Sequence, residues 1–84
     1  MVTTQLTPAQ EAVRRNLADN LRRLRKELNW SQEDLALECD LHLTFVAHVE
    51  RERRNISLDN ITKLAEVLGV EAWQLLLPTG TQPK

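Results

Sequence analysis

Cys39, His42 and His48 stand close enough in this sequence to suggest a metal site. They do not assemble into a site. Two residues six apart on one helix point roughly 240° from each other, so the two imidazoles do not converge. One cysteine can form no disulfide within the chain and supplies too few thiolates for a cysteine-based zinc cluster. Cys39 reads instead as a small buried apolar residue. No nucleophile stands beside a base, no glycine-rich phosphate loop is present, and Glu33, Asp34 and Glu38 read as helix surface. No enzyme activity, cofactor, metal or small-molecule ligand is expected.

The charges say more than their total. Eleven Lys and Arg against twelve Asp and Glu leave a net charge of −1, which is not the basic excess of a non-specific DNA coat. The distribution is uneven. Residues 14–26 hold Arg14, Arg15, Arg22, Arg23, Arg25 and Lys26 against Asp19 alone. Residues 27–40 hold Glu27, Glu33, Asp34, Glu38 and Asp40 with no base, and residues 41–55 set Arg51, Arg53 and Arg54 against Glu50 and Glu52. Such a chain can carry a basic face while staying neutral in sum; ordinary solvated helix surface is the plainer alternative.

The elements that position these residues are helices. Thr7-Pro8-Ala9-Gln10 combines a cap, a proline at the first helical position and a capping-box glutamine. Val13, Leu17, Leu21, Leu24 and Leu28 then form one apolar stripe to about residue 28. Asn29 is a left-handed stop, with Trp30 placed to pack back on the last turn. Ser31 caps a short second helix with Leu35, Ala36 and Cys39 inward. Asp40 falls where the turn wants a residue tolerating positive φ. A third helix spans about 42–51, with Val46 and Val49 inward and Phe45 partly so. Ser57 caps a fourth helix with a stripe of Leu58, Ile61, Leu64, Ala65 and Leu68, ended by Gly69. Residues 71–77 add a short fifth helix, stopped by Pro78, whose Leu76 closes the core. The expected organisation is all-α: a flexible N-terminus over 1–6, one domain over 7–77, a flexible tail over 78–84. Without a run of about 18 apolar residues or a basic-then-apolar opening, the chain reads as soluble and cytoplasmic, with no membrane partner.

The second and third helices have the side chains of a helix-turn-helix. Leu35 and Ala36 meet the third helix, Ala36 being small where two helices cross, Leu41 plugs the turn, and Val46 and Val49 hold the third helix to the core. His42, Leu43, Thr44, Ala47, His48 and Arg51 are left on its outer side, a face short enough for a groove roughly 12 Å wide.

Leu24-Arg25, Trp30-Ser31-Gln32-Glu33-Asp34-Leu35-Ala36, Leu41, Thr44-Phe45-Val46, Val49-Glu50-Arg51 and Arg54-Asn55-Ile56-Ser57-Leu58 through Leu68-Gly69-Val70 together resemble the Cro and lambda-repressor-like (XRE) family. The sequence looks most like the controller proteins of restriction–modification systems. The resemblance covers about residues 17 to 77 and implies a five-helix domain. It also implies that Gln32 contacts a phosphate and braces the recognition helix, that Thr44, Arg51 and Asn55 contact DNA, and that Arg25 pairs with Glu50. Three positions depart from the pattern, one of them His48, where controllers tend to have a small residue. Asp40 stands where the family often has Gly, and Leu43 stands where controllers often carry an Arg that reads guanine. Base contacts are therefore expected from His42, Thr44 and His48, with apolar touch from Leu43 and Ala47. Phosphate contacts are expected from Gln32, Arg51, Arg53 and Asn55. The expected function is a sequence-specific, double-stranded-DNA-binding transcriptional repressor or autoregulator, a homodimer on a two-fold symmetric operator. Trp73 and Leu77 are its candidate interface, with Val13 and Leu17 as the alternative. A protein-interaction module on the same scaffold, such as an antitoxin or adaptor, is the competing reading.

Overall fold

Four α-helices and one short 3-10 helix account for the regular structure of the computed structural model, in which residues 5–79 are described. α1 spans Pro8–Glu27, α2 Gln32–Cys39, α3 Leu43–Glu50 and α4 Leu58–Leu68; the 3-10 helix spans Ala72–Leu76. Among the described residues there is no strand. None of these helices is long and apolar enough to cross a membrane.

Local chemistry sets the starts. Thr7 accepts from the Gln10 amide at 3.1 Å while the Gln10 side chain accepts from the Thr7 amide at 2.9 Å. Ser31 and Asp34 repeat this reciprocal box at 3.0 and 2.9 Å, and Ser57 accepts from Asn60 N–H at 3.1 Å. Each box satisfies two backbone donors that the helix itself cannot pair. α3 alone among the four starts without a side-chain cap: His42 precedes it in extended conformation and makes no capping bond.

All four α-helices end the same way. Asn29, Asp40, Glu52 and Gly69 take φ of 60°, 56°, 64° and 75°. The next residue then donates to a carbonyl five positions back: Trp30 to Arg25, Leu41 to Ala36, Arg53 to His48 and Val70 to Ala65, at 2.9–3.0 Å. This is the Schellman reversal, normally completed by an apolar residue packing back on the helix. Trp30, Leu41 and Val70 do pack against the core. Arg53 is exposed instead, so the chain leaves α3 along the surface. Asp40 therefore does occupy the left-handed turn between α2 and α3, without glycine's freedom there.

The core joins Leu17 and Leu21 of α1, Leu35, Ala36 and Cys39 of α2, Val46 and Val49 of α3, Ile61, Leu64, Ala65 and Leu68 of α4, and Leu75. Full burial of a leucine such as Leu21 contributes roughly 1.5–3 kcal/mol. The apolar stripes overreach this core at their ends. Val13 and Leu28 are each nearly half exposed, and Leu58 is 80% exposed. Leu58 has the right period, but it is the first residue of α4 and is not among the residues packed against the core. The fifth element is a 3-10 helix rather than an α-helix, and its fully buried residue is Leu75; Leu76 is packed only partly against the core. Burial, with Glu38 nearby, pushes the Cys39 thiol up to about 11, in keeping with a packing role.

Candidate nucleic-acid interface

Glu50 organises the surface around α3. It ends that helix with 2% of its area exposed. Arg25 of α1 donates to both carboxylate oxygens, from Nε at 2.8 Å and from Nη2 at 2.9 Å, and its Nη1 donates to the Trp30 carbonyl at 2.9 Å. Gln32, the first residue of α2, adds an Nε2 bond to Glu50 Oε1 at 3.0 Å. Arg22 of α1 donates to the Glu50 main-chain carbonyl and pairs with Asp19 at 2.7 Å. One carboxylate thus ties α1, α2 and α3 together. A buried charge is tolerable when its lone pairs are filled in this way. The bonds to Glu50 raise the pKa of Arg25 above its ordinary value, against the opposing effect of burial.

This anchoring leaves one face of α3 outward. His42, Leu43, Thr44 and Arg51 are exposed; Ala47 and His48 are partly so. The loop after α3 is also held in place. Arg53 N–H donates to the His48 carbonyl, and the Arg54 guanidinium lies over the Phe45 ring, 5.2 Å from its centroid. Asn55 Oδ1 accepts from Ile56 N–H at 2.9 Å, which leaves its amide nitrogen as a donor. Gln32 likewise has a second amide hydrogen beyond the one given to Glu50. The structure thus brings Gln32, Arg25 and Glu50 into one hydrogen-bonded cluster at the base of α3. His42, Leu43, Thr44, Ala47, His48 and Arg51 lie on α3 or at its two ends, and Arg53 and Asn55 follow in the loop.

The two interface candidates fare differently. Trp73 is 62% exposed and Leu77 is 44% exposed. Val13 is exposed, but Leu17 is a core residue and is not available to a partner.

Two asparagines of α1 escaped the sequence reading. Asn20 is 1% exposed, and its Nδ2 donates to the carbonyls of Leu75 and Leu77, both at 2.9 Å. Asn16 donates to the Leu76 carbonyl at 3.3 Å, and Asp19 accepts from the Thr79 hydroxyl at 3.1 Å. These bonds fasten the 3-10 helix to α1. The only available signal was that Asn20 is polar one position before Leu21 of the apolar stripe. Arg22 and Arg54, which hold α3 and its following loop, could be read from sequence only as charge.

The geometry agrees with the comparisons to known proteins. A family model described as helix-turn-helix matches residues 21–72. The crystal structure of hypothetical transcription factor NHTF from Neisseria superposes with a TM-score of 0.80 and 46% identity, covering 95% of this chain and 91% of that one. The restriction-modification controller protein C.AhdI from Aeromonas hydrophila superposes with a TM-score of 0.70 and 42% identity, covering 74% and 94% of the two chains. Control protein C.BamHI of Bacillus amyloliquefaciens is 56% identical over 48 residues, 57% of this chain and 59% of that protein. With α2 and α3 held by one buried carboxylate inside the matched segment, this chain belongs to the XRE-type helix-turn-helix family.

Proposed function

We propose that the protein is a sequence-specific regulator of transcription that binds double-stranded DNA with α3 in the major groove and works as a homodimer on a two-fold symmetric operator. The outer face of α3 carries this reading. Among the described residues, none of His42, Thr44, His48 and Arg51 spends its side chain on a hydrogen bond or ion pair within the chain, although α3 itself is rigidly anchored through Glu50. A polar face without internal partners on a fixed helix can exchange its water for base edges without reorganising. His42, Thr44 and His48 supply hydrogen-bonding groups; Leu43 and Ala47 supply apolar touch for a thymine methyl. Arg51, Arg53, the amide nitrogen of Asn55 and the second amide hydrogen of Gln32 supply phosphate contacts that fix the register. One such helix reads few bases, so two copies on half-sites about 34 Å apart provide the specificity. Trp73, near the start of the 3-10 helix, and Leu77, just past its end, are both exposed and form the two-fold contact. Restriction-modification controllers among the relatives favour a repressor or autoregulator role.

Selection from a random duplex pool tests this, followed by titration of the winning site at several salt concentrations. The expected result is a two-fold symmetric site with half-sites one helical turn apart and a steep salt dependence. Gln32→Ala and Arg51→Ala should weaken binding with circular dichroism unchanged. Absence of any enriched sequence overturns the reading in favour of a protein-interaction module such as an antitoxin or adaptor.

A further inference from the structure

The basic stretch of α1 divides into two halves that differ in pairing. Arg22 pairs with Asp19 at 2.7 Å, Arg23 with Glu27 at 3.3 Å and Arg25 with Glu50 at 2.8 Å. Among the described residues, Arg14 and Arg15 pair with no carboxylate, although Glu11 and Glu52 line the same polar cleft of about 320 Å³. Arg14 also lines an apolar cleft of about 120 Å³ with Leu17, Val49, Ile61 and Asn55. Asn55 borders a further cleft with Arg14, between the start of α1 and the loop after α3. That loop is fixed by the Arg53–His48 backbone bond and by Arg54 on Phe45, so the spacing between Asn55 and Arg14 is set by the fold.

We propose that Arg14, on α1 and outside the helix-turn-helix, is a further DNA-phosphate contact beside Asn55. The interface then runs from α3, across the loop, onto the N-terminal third of α1. The proposal rests on the DNA-binding reading above. Its chemistry is that of an unpaired guanidinium whose residue lines the same two clefts as an amide donor, and together they can hold neighbouring phosphate oxygens. As a backbone contact, Arg14 contributes affinity and salt dependence and no sequence preference.

The test uses the full chain and the duplex recovered by selection, titrated between 50 and 200 mM salt. Arg14→Gln keeps the aliphatic stem and removes the charge, Arg14→Lys keeps the charge, and Arg23→Gln is the paired control. Arg14→Gln should lower the slope of log K against log salt by about 0.9 for each bound protomer. It should weaken specific and unrelated duplexes by the same factor. Arg14→Lys should restore the slope, and Arg23→Gln should leave it unchanged. If Arg14→Gln retains the wild-type slope while Arg51→Ala loses part of it, the DNA reading stands and the proposal falls. If the wild-type chain shows no salt-dependent binding, both fall together.

Discussion

Replacing Arg25 by Met tests how the recognition helix is held. In the native protein Glu50 is 2% exposed and accepts three bonds, two from Arg25 and one from Gln32. Arg25→Met leaves that carboxylate with the Gln32 amide alone and removes the donor from the Trp30 carbonyl. Stranding one member of a buried pair costs about 3–5 kcal/mol, a large part of the 5–15 kcal/mol typical of a whole domain. Glu50→Leu should cost a similar amount, because the Arg25 side chain is only 11% exposed and cannot shed its proton. The double variant, with apolar groups in both places, strands neither charge. It should lie within about 1–2 kcal/mol of the parent, so the two single effects should not add. Gln32→Ala removes one of three donors and should cost about 1–2 kcal/mol. Urea unfolding followed by circular dichroism measures all four. If Arg25→Met and Glu50→Leu are additive within about 0.5 kcal/mol, the pair is not the unit that holds α3, and the argument from its geometry is wrong.

The left-handed helix ends give an ordered series. Glu52→Gly should stabilise by about 1 kcal/mol and Asp40→Gly by somewhat less, since Asp tolerates that backbone region better. Gly69→Ala should cost about 1 kcal/mol although no atom lies within 4 Å of the added methyl, so equal melting temperatures would refute backbone strain as the cause. At pH 8 a Cys39 thiol raised to about 11 is roughly 0.1% thiolate, so alkylation in the folded protein should be at least tenfold slower than in urea; equal rates would show it is not buried as described. The same shift favours the protonated folded state, so its stabilisation is complete below pH 9 and is lost as pH rises from about 9 through 11. The change amounts to about 3 kcal/mol and should be absent in Cys39→Ala. Asn20→Leu removes the donor to two carbonyls and should raise amide exchange specifically over residues 72–77; unchanged exchange there would mean the 3-10 helix is held by Leu75 alone.

What could be read from sequence was what is decided within a few residues. Thr7 with Gln10, Ser31 with Asp34, Asn29 and Gly69 mark helix ends through bonds spanning three to five positions, and their residue types reveal those bonds. Val46 and Val49 followed from period because α3 has neighbours along its length. Leu58 did not, because periodicity says which residues share a face and nothing about where the covering elements stop. The Arg25–Glu50 pair spans 25 positions and came from family resemblance alone; Asn20, bonded 55 and 57 positions away, had no such guide. The outer face of α3 was legible by elimination, since it is what remains once the inward residues are assigned. That Arg14 lines the same clefts as Asn55 was not, because it depends on how the loop after α3 folds back toward α1.

The bonds from Asn16 and Asn20 to the carbonyls of residues 75–77 also order events in time. During synthesis α1 is made first, yet Leu17 and Leu21 await Leu75, and the Asn20 amide awaits two carbonyls that are translated more than fifty residues later. At 5–20 residues per second, roughly 3–11 s pass between the two. Through that interval the nascent chain carries an apolar helix face that is incompletely covered, a substrate for chaperones or for premature contact with a neighbouring copy. Only when residues 72–79 are in place is the cover of α1 complete, so a chain that ends before Leu75 would leave that face partly bare.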